Sequence, residues 1–87
     1  MPFAIIYEPR VIKEDLPAIP TANKGQIARA ISERLSMDPV GLGKPLTGEF
    51  KGFFRLRVGD WRIIYDVKDS AVAIYAIGMR KDIYKRR

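Results

Sequence analysis

Residues 53–65, Phe-Phe-Arg-Leu-Arg-Val-Gly-Asp-Trp-Arg-Ile-Ile-Tyr, constrain the fold more than any other stretch, because they read as two strands that pair with each other. Gly59-Asp60 is an acceptable two-residue turn, and a turn that short fixes the register. Val58 then faces Trp61, Arg57 faces Arg62, Leu56 faces Ile63, Arg55 faces Ile64 and Phe54 faces Tyr65. Side chains alternate along a strand, so Phe54, Leu56, Val58, Trp61, Ile63 and Tyr65 form an apolar face and Arg55, Arg57 and Arg62 a cationic one. Two arginines directly opposite each other repel by a few tenths to about 1 kcal/mol, a cost that a purely structural strand has no reason to carry. Guanidinium forks grip phosphate oxygens bidentately and stay charged at any working pH, which points to an anionic partner. The alternative is an ordinary solvent-facing sheet, although such surfaces usually mix signs and only Asp66 shares this face.

The remaining segments supply elements for the hairpin to join. Residues 3–7 are apolar and β-branched enough for a short, buried first strand, ended by Glu8-Pro9. Residues 9–18 carry Val11, Ile12 and Leu16 at near-helical spacing that continues to Ile19, with Pro9 where a helix start tolerates it and Pro17 near the end. After an N-cap at Pro20-Thr21, Ile27, Ile31 and Leu35 recur every four residues, predicting a second helix that stops near Asp38-Pro39. Residues 41–52, broken by Gly41, Gly43, Pro45, Gly48 and Gly52, predict a connection without regular structure, long enough to border a site. A turn at residues 67–70 leads into the apolar run 71–79, which reads as a central strand. The expected fold is one α+β domain over residues 1–87, in the order β-α-α-β-β-β. Two N-terminal helices pack on one face of a mostly antiparallel four-stranded sheet, the arginine face stays uncovered, and a short basic segment ends the chain.

Composition narrows the chemistry. The chain of 87 residues has neither cysteine nor histidine, which excludes disulfides, thiolate nucleophiles, zinc-thiolate sites and the commonest general base. Neither metal nor cofactor is expected. No apolar run approaches the ~20 residues that span a bilayer, so the reading is a cytoplasmic protein with no membrane partner. Sixteen Lys+Arg against ten Asp+Glu give a formal +6, which favours polyanions. Residues 79–87 hold five cations and one anion, either as a solvated tail or as a phosphate-contacting one. Arg80, Lys81 and Tyr84 begin where the last strand ends, and the sheet order could bring them beside the cationic face. Positive neighbours favour a phenolate, so Tyr84 could serve as a general base or stack on a nucleobase; it could equally pack its ring on the sheet edge. Gly41-Leu42-Gly43-Lys44 lacks the spacing of a phosphate loop.

Three segments in this order and spacing carry a resemblance: Pro45-Leu46-Thr47-Gly48, the hairpin from Phe54 to Tyr65, and Ile77-Gly78-Met79-Arg80-Lys81-Asp82-Ile83-Tyr84. Together they resemble the RelE/ParE superfamily of type II toxin–antitoxin toxins, in particular its RelE branch, over nearly the whole chain. The resemblance implies a RelE-like fold and a metal-independent, ribosome-dependent endoribonuclease that cuts mRNA in the A site. It also implies a RelB-like antitoxin that neutralises the toxin in a hetero-oligomer, with ribosome and mRNA as the other partners. Such cleavage drives a 2′-hydroxyl onto the neighbouring phosphate, which needs a base, cations for the crowded phosphorane and an acid for the leaving 5′-oxygen. By position, Arg62, Arg80 and Tyr84 resemble the family's catalytic residues, and Arg55, Arg57 and Lys81 its RNA- and phosphate-binding ones. The chain departs from many relatives in carrying Met79 where they place histidine, and it shows no counterpart to the glutamate that some use. ParE-like relatives share the fold but inhibit DNA gyrase without cutting RNA, which is the alternative reading; the retained Arg80 and Tyr84 favour the RelE side. An inert basic RNA-binding module is a third.

Overall fold

The computed structural model describes residues 2–85; Met1 and the final Arg86 and Arg87 of the basic segment lie outside the described residues. Five strands form one sheet: β1 Ala4–Tyr7, β2 Lys44–Pro45, β3 Phe54–Val58, β4 Trp61–Lys68 and β5 Ala71–Met79. Their spatial order is β1-β5-β4-β3-β2, with β1 parallel to β5 and every other pair antiparallel. The β3–β4 hairpin has the register its turn dictates, including Arg57 opposite Arg62 and Phe54 opposite Tyr65. Gly59 takes a φ of +62° while Asp60 does not, the pattern of a type II′ turn, whose twist suits the flanking strands.

Two helical stretches follow β1, α1 over residues 9–18 and α2 over residues 21–35, and a further one-turn helix after them takes the helix count beyond the two expected. Both widen to i→i+5 hydrogen bonding, over Val11–Asp15 and Ile31–Leu35. Pro20, not Thr21, occupies the N-cap of α2. The helices bury Val11, Ile19, Ile27, Ala30, Ile31 and Leu35 against Leu56, Val58, Ile63, Tyr65, Val72, Ile74 and Ile77 of the sheet. At about 1.5–3 kcal/mol for each fully buried large aliphatic side chain, this layer is the main source of stability. Asp15 interrupts the apolar stripe of α1, yet it is buried and its Oδ2 accepts the Ile77 N–H at 2.9 Å. β1 pairs with β5 only as far as Ile74, so the edge of β5 beyond it needs another acceptor, and Asp15 provides one.

Four expectations are corrected. The sheet has five strands rather than four, because Lys44 and Pro45 pair with Arg55 and Phe54. Proline is tolerated there because an edge strand can turn its missing donor to solvent. Around that strand, residues 41–52 carry more order than expected. Asp38 caps the one-turn helix α3, Pro39–Leu42, by accepting the Gly41 N–H at 3.0 Å, and Gly48–Phe50 form a 3₁₀ turn. β1 is a margin strand rather than a buried one, with Ile6 half exposed. Finally, the sheet face opposite the helices is not bare: Ile64, Ala76 and Ile83 are buried there, with Leu46, Phe50, Phe53, Tyr75 and Tyr84 packed around them. Among the described residues, no helix is long and apolar enough to cross a membrane.

Candidate functional site

The second, smaller core shapes the cationic face. Arg62 stands in the middle of the sheet, paired with Arg57 across β3 and with Gly78 across β5. It is 4% exposed, and one guanidinium nitrogen donates to the carbonyls of Gly59 and Trp61, at 3.0 Å each. No carboxylate lies within 4.0 Å of it among the described residues. Burial lowers the Arg62 pKa from its ordinary value, and the charges of Arg57, Arg55 and Arg80 lower it further, while Tyr84 opposes them. A buried cation among other cations is an unfavourable arrangement that an incoming anion would relieve.

The chain after β5 returns across this face. The Arg80 N–H donates to the Asp60 carbonyl at 2.8 Å, stitching the start of the C-terminal segment to the hairpin turn. Asp82 N–H then bonds back to the Met79 carbonyl at 3.0 Å, and Ile83–Lys85 close a 3₁₀ turn. Ile83 seats over Gly78: a Cβ built on that glycine would lie 3.0 Å from the Ile83 Cδ1. With Ile83 fixed, Tyr84 meets the edge of Phe50, ring centroids 5.6 Å apart at 74°. The connection read as long enough to border a site reaches Tyr84 through Phe50. Tyr84 Oη and Arg55 Nε are buried and have no hydrogen-bond partner among the described residues. Each such group costs roughly 1–3 kcal/mol while it stays unpaired.

The fold thus gathers Arg55, Arg57, Arg62, Arg80 and Tyr84 into one electrostatically connected group. Lys81 stands apart from it, exposed, in a depression of about 280 Å³ lined also by Asp60, Met79 and Arg80. Arg57 and Arg80 are exposed as expected, but Arg62 is buried, on a face where Ile83 seats over Gly78, the β5 residue opposite Arg62. The sequence reading overlooked Phe50 and Phe53 as a wall. Their signal was present, since two aromatics in a glycine-rich connection are seldom left in solvent. Such an array can bind a phosphodiester, concentrate positive charge at its phosphorus and offer a phenol oxygen beside it.

Comparison with known proteins agrees with this geometry. Residues 5–84 match the family model for the ParE toxin of the type II toxin–antitoxin system parDE. Toxin RelG of Mycobacterium tuberculosis is 31% identical over 88 residues, covering 99% of this chain and 100% of the relative. The toxin–antitoxin complex RelBE2 of the same species has a chain that superposes with a TM-score of 0.84 at 27% identity, over 92% of this chain and 100% of that one. A chain of the RelB–RelE antitoxin–toxin complex of Methanococcus jannaschii shares the fold, with a TM-score of 0.73 at 24% identity over 92% and 95% of the two chains. The chain belongs to the RelE/ParE family of toxins of type II toxin–antitoxin systems.

Proposed function

We propose that this toxin is a RelE-like, ribosome-dependent endoribonuclease that cleaves mRNA in the A site. The observation that carries the reading is Arg62, buried among other cations with no carboxylate partner, beside the unpaired Tyr84 Oη and Arg55 Nε. A bound phosphodiester supplies the missing negative charge and acceptors. The 2′-oxygen attacks phosphorus as the P–O5′ bond breaks, giving a 2′,3′-cyclic phosphate and a 5′-hydroxyl. Arg62 and Arg80 stabilise the charge that accumulates on the phosphorane, Tyr84 Oη accepts the hydrogen bond of the 2′-hydroxyl and orients it, the 2′-proton leaves to water and the departing 5′-oxygen takes a proton from water. Arg55 and Arg57 hold the flanking phosphates, and Lys81 contacts the strand from the neighbouring depression. Catalysis of this kind works without a metal or cofactor, since the cations are side chains.

The cognate partner in this reading is a RelB-like antitoxin bound in a hetero-oligomer. The solved relatives named above are such complexes, and an apolar groove of about 520 Å³ between α1 and α2, lined by Ile12, Leu16, Pro17, Ile27 and Ile31, gives a protein partner a surface to cover. Primer extension on a defined mRNA with programmed ribosomes tests the nuclease reading. Cuts at the A-site codon are expected from the native toxin and not from Arg80→Ala or Tyr84→Phe, each still folded and still bound by antitoxin. A folded protein that arrests growth while leaving mRNA intact sinks the reading; inhibition of gyrase supercoiling by that protein would establish the ParE-like alternative.

A further inference from the structure

A cationic concavity lies around the hairpin from the Arg62 group. It is a groove of about 230 Å³ between α2 and the margin of β3, lined by Gln26, Arg29, Glu33, Arg34, Arg57 and the Val58–Gly59 backbone region. Three of its side chains are arginines, one is an amide and only Glu33 is acidic. None of the arginines is in an ion pair among the described residues. β2 covers β3 only at Phe54 and Arg55, so the margin at Arg57 is open. The two-residue turn makes Val58 and Trp61 a hydrogen-bonded pair, and the alternation of an antiparallel ladder then points the Arg57 amide outward, toward the groove. Arg57 also faces Arg62 across the hairpin, so one residue belongs both to the Arg62 group and to the groove.

We propose that this groove is a second phosphate-binding site, in which Arg29 and Arg34 hold the backbone of the same single-stranded RNA beyond the cleaved linkage. The proposal rests on the RNA reading of the Arg62 cleft and extends its path around the hairpin tip. An acidic strand adding to the margin of β3 is the competing occupant. RNA is favoured because the open margin offers one outward amide and carbonyl, at Arg57, where strand addition needs a run of them, and because arginines rather than apolar pockets line it.

The test is fluorescence anisotropy with oligoribonucleotides made uncleavable by 2′-deoxy substitution, a trinucleotide that fills the cleft alone and a dodecamer that reaches the groove. Arg29→Ala/Arg34→Ala is expected to weaken dodecamer binding about tenfold at low salt and to flatten the slope of log K against log salt by about 1.4, at ~0.7 per single-strand phosphate contact. Trinucleotide binding should stay within about twofold, as expected for contacts that lie outside the cleft. Glu33→Gln, which removes the groove's one anion, is expected to tighten the dodecamer about two- to threefold, a gain that no loss of folding can imitate. Equal dodecamer affinity in native and double-variant toxin overturns the groove while leaving the cleft standing. Failure of the native toxin to bind either oligonucleotide overturns the groove, and the cleavage reading is then decided separately by primer extension on programmed ribosomes. Unchanged RNA binding with lost affinity for a glutamate-rich peptide assigns the groove to a protein and overturns the proposal.

Discussion

Tyr65 shows how a single hydroxyl can hold a segment. Its ring stacks with that of Phe54, centroids 5.7 Å apart at 17°, and its Oη donates to the Pro39 carbonyl at 2.6 Å in a fully buried position. Gly43 leaves the room: a Cβ there would fall 1.7 Å from that hydroxyl, so the chain leaving α3 can pass only as glycine. Tyr65→Phe leaves the Pro39 carbonyl buried and unpaired, and should lower stability by about 1–3 kcal/mol, read as a lower urea midpoint with an unchanged m-value. Burial, assisted by the negative charge of Asp38, raises the Tyr65 pKa to about 12. An unfolded tyrosine ionises near 10, so between roughly pH 10 and 12 the unfolded chain sheds a proton that the folded chain keeps. The Tyr65 contribution is therefore complete below pH ~10 and lost as pH rises toward ~12. Stability from chemical denaturation across that window should fall more steeply in the native protein than in Tyr65→Phe, and the difference isolates this residue.

At the scale of elements, two short attachments position what the larger core does not. Asp15 ties α1 to the unpaired edge of β5 through the Ile77 amide. Asp15→Ala should cost about 1–3 kcal/mol by leaving a buried N–H unpaired, whereas Asp15→Asn keeps a carbonyl acceptor and should recover most of it, both measured by denaturation. The C-terminal turn is held by Ile83 over Gly78. Gly78→Val should prevent that seating, and Ile83→Ala should free the turn without adding bulk beside Arg62. Under the proposed nuclease function, each variant should lose about 100-fold or more in mRNA cleavage with the far-UV circular dichroism of the helices and sheet retained, because displacing Arg80 and Tyr84 by an ångström would be enough to misalign that reaction. The hairpin was legible residue by residue because a two-residue turn leaves a single register. β2 was not, since two residues that include a proline carry no strand signal and acquire pairing only from the edge of β3. The second core on the arginine face was hidden for a related reason: Phe50, Phe53 and Ile83 stand on segments whose glycines or charges read as loop and tail. Asp15 was readable in principle, since Val11, Asp15 and Ile19 share one four-residue stripe. A lone carboxylate in such a stripe signals a buried acceptor.

For the molecule as a whole, part of the charge of +6 is gathered around one buried arginine, where it destabilises the fold. Arg62 is buried with Arg55, Arg57 and Arg80 close enough to lower its pKa, so the free toxin carries repulsion that a bound anion removes. Binding to the folded state alone stabilises by RT ln(1 + [L]/Kd), which at ten times the dissociation constant is about 1.4 kcal/mol. In a domain of this size that is a rise in melting temperature of roughly 5–11 °C. Sulfate and phosphate also stabilise proteins generally through exclusion from their surface, so the native toxin alone cannot separate the two effects. Arg62→Met can. It removes the buried charge in a shape-tolerant side chain and should leave the anion-free protein as stable as the native one or more so, because a well-packed apolar group avoids the desolvation cost. Thermal melts in increasing phosphate at constant ionic strength should then show a saturable rise for the native toxin and only the shallow, unsaturable exclusion slope for Arg62→Met. Parallel slopes in the two proteins would mean that the cluster binds no anion in the free toxin. A variant much less stable than the native protein without phosphate would mean that Arg62 serves the fold through its bonds to the Gly59 and Trp61 carbonyls.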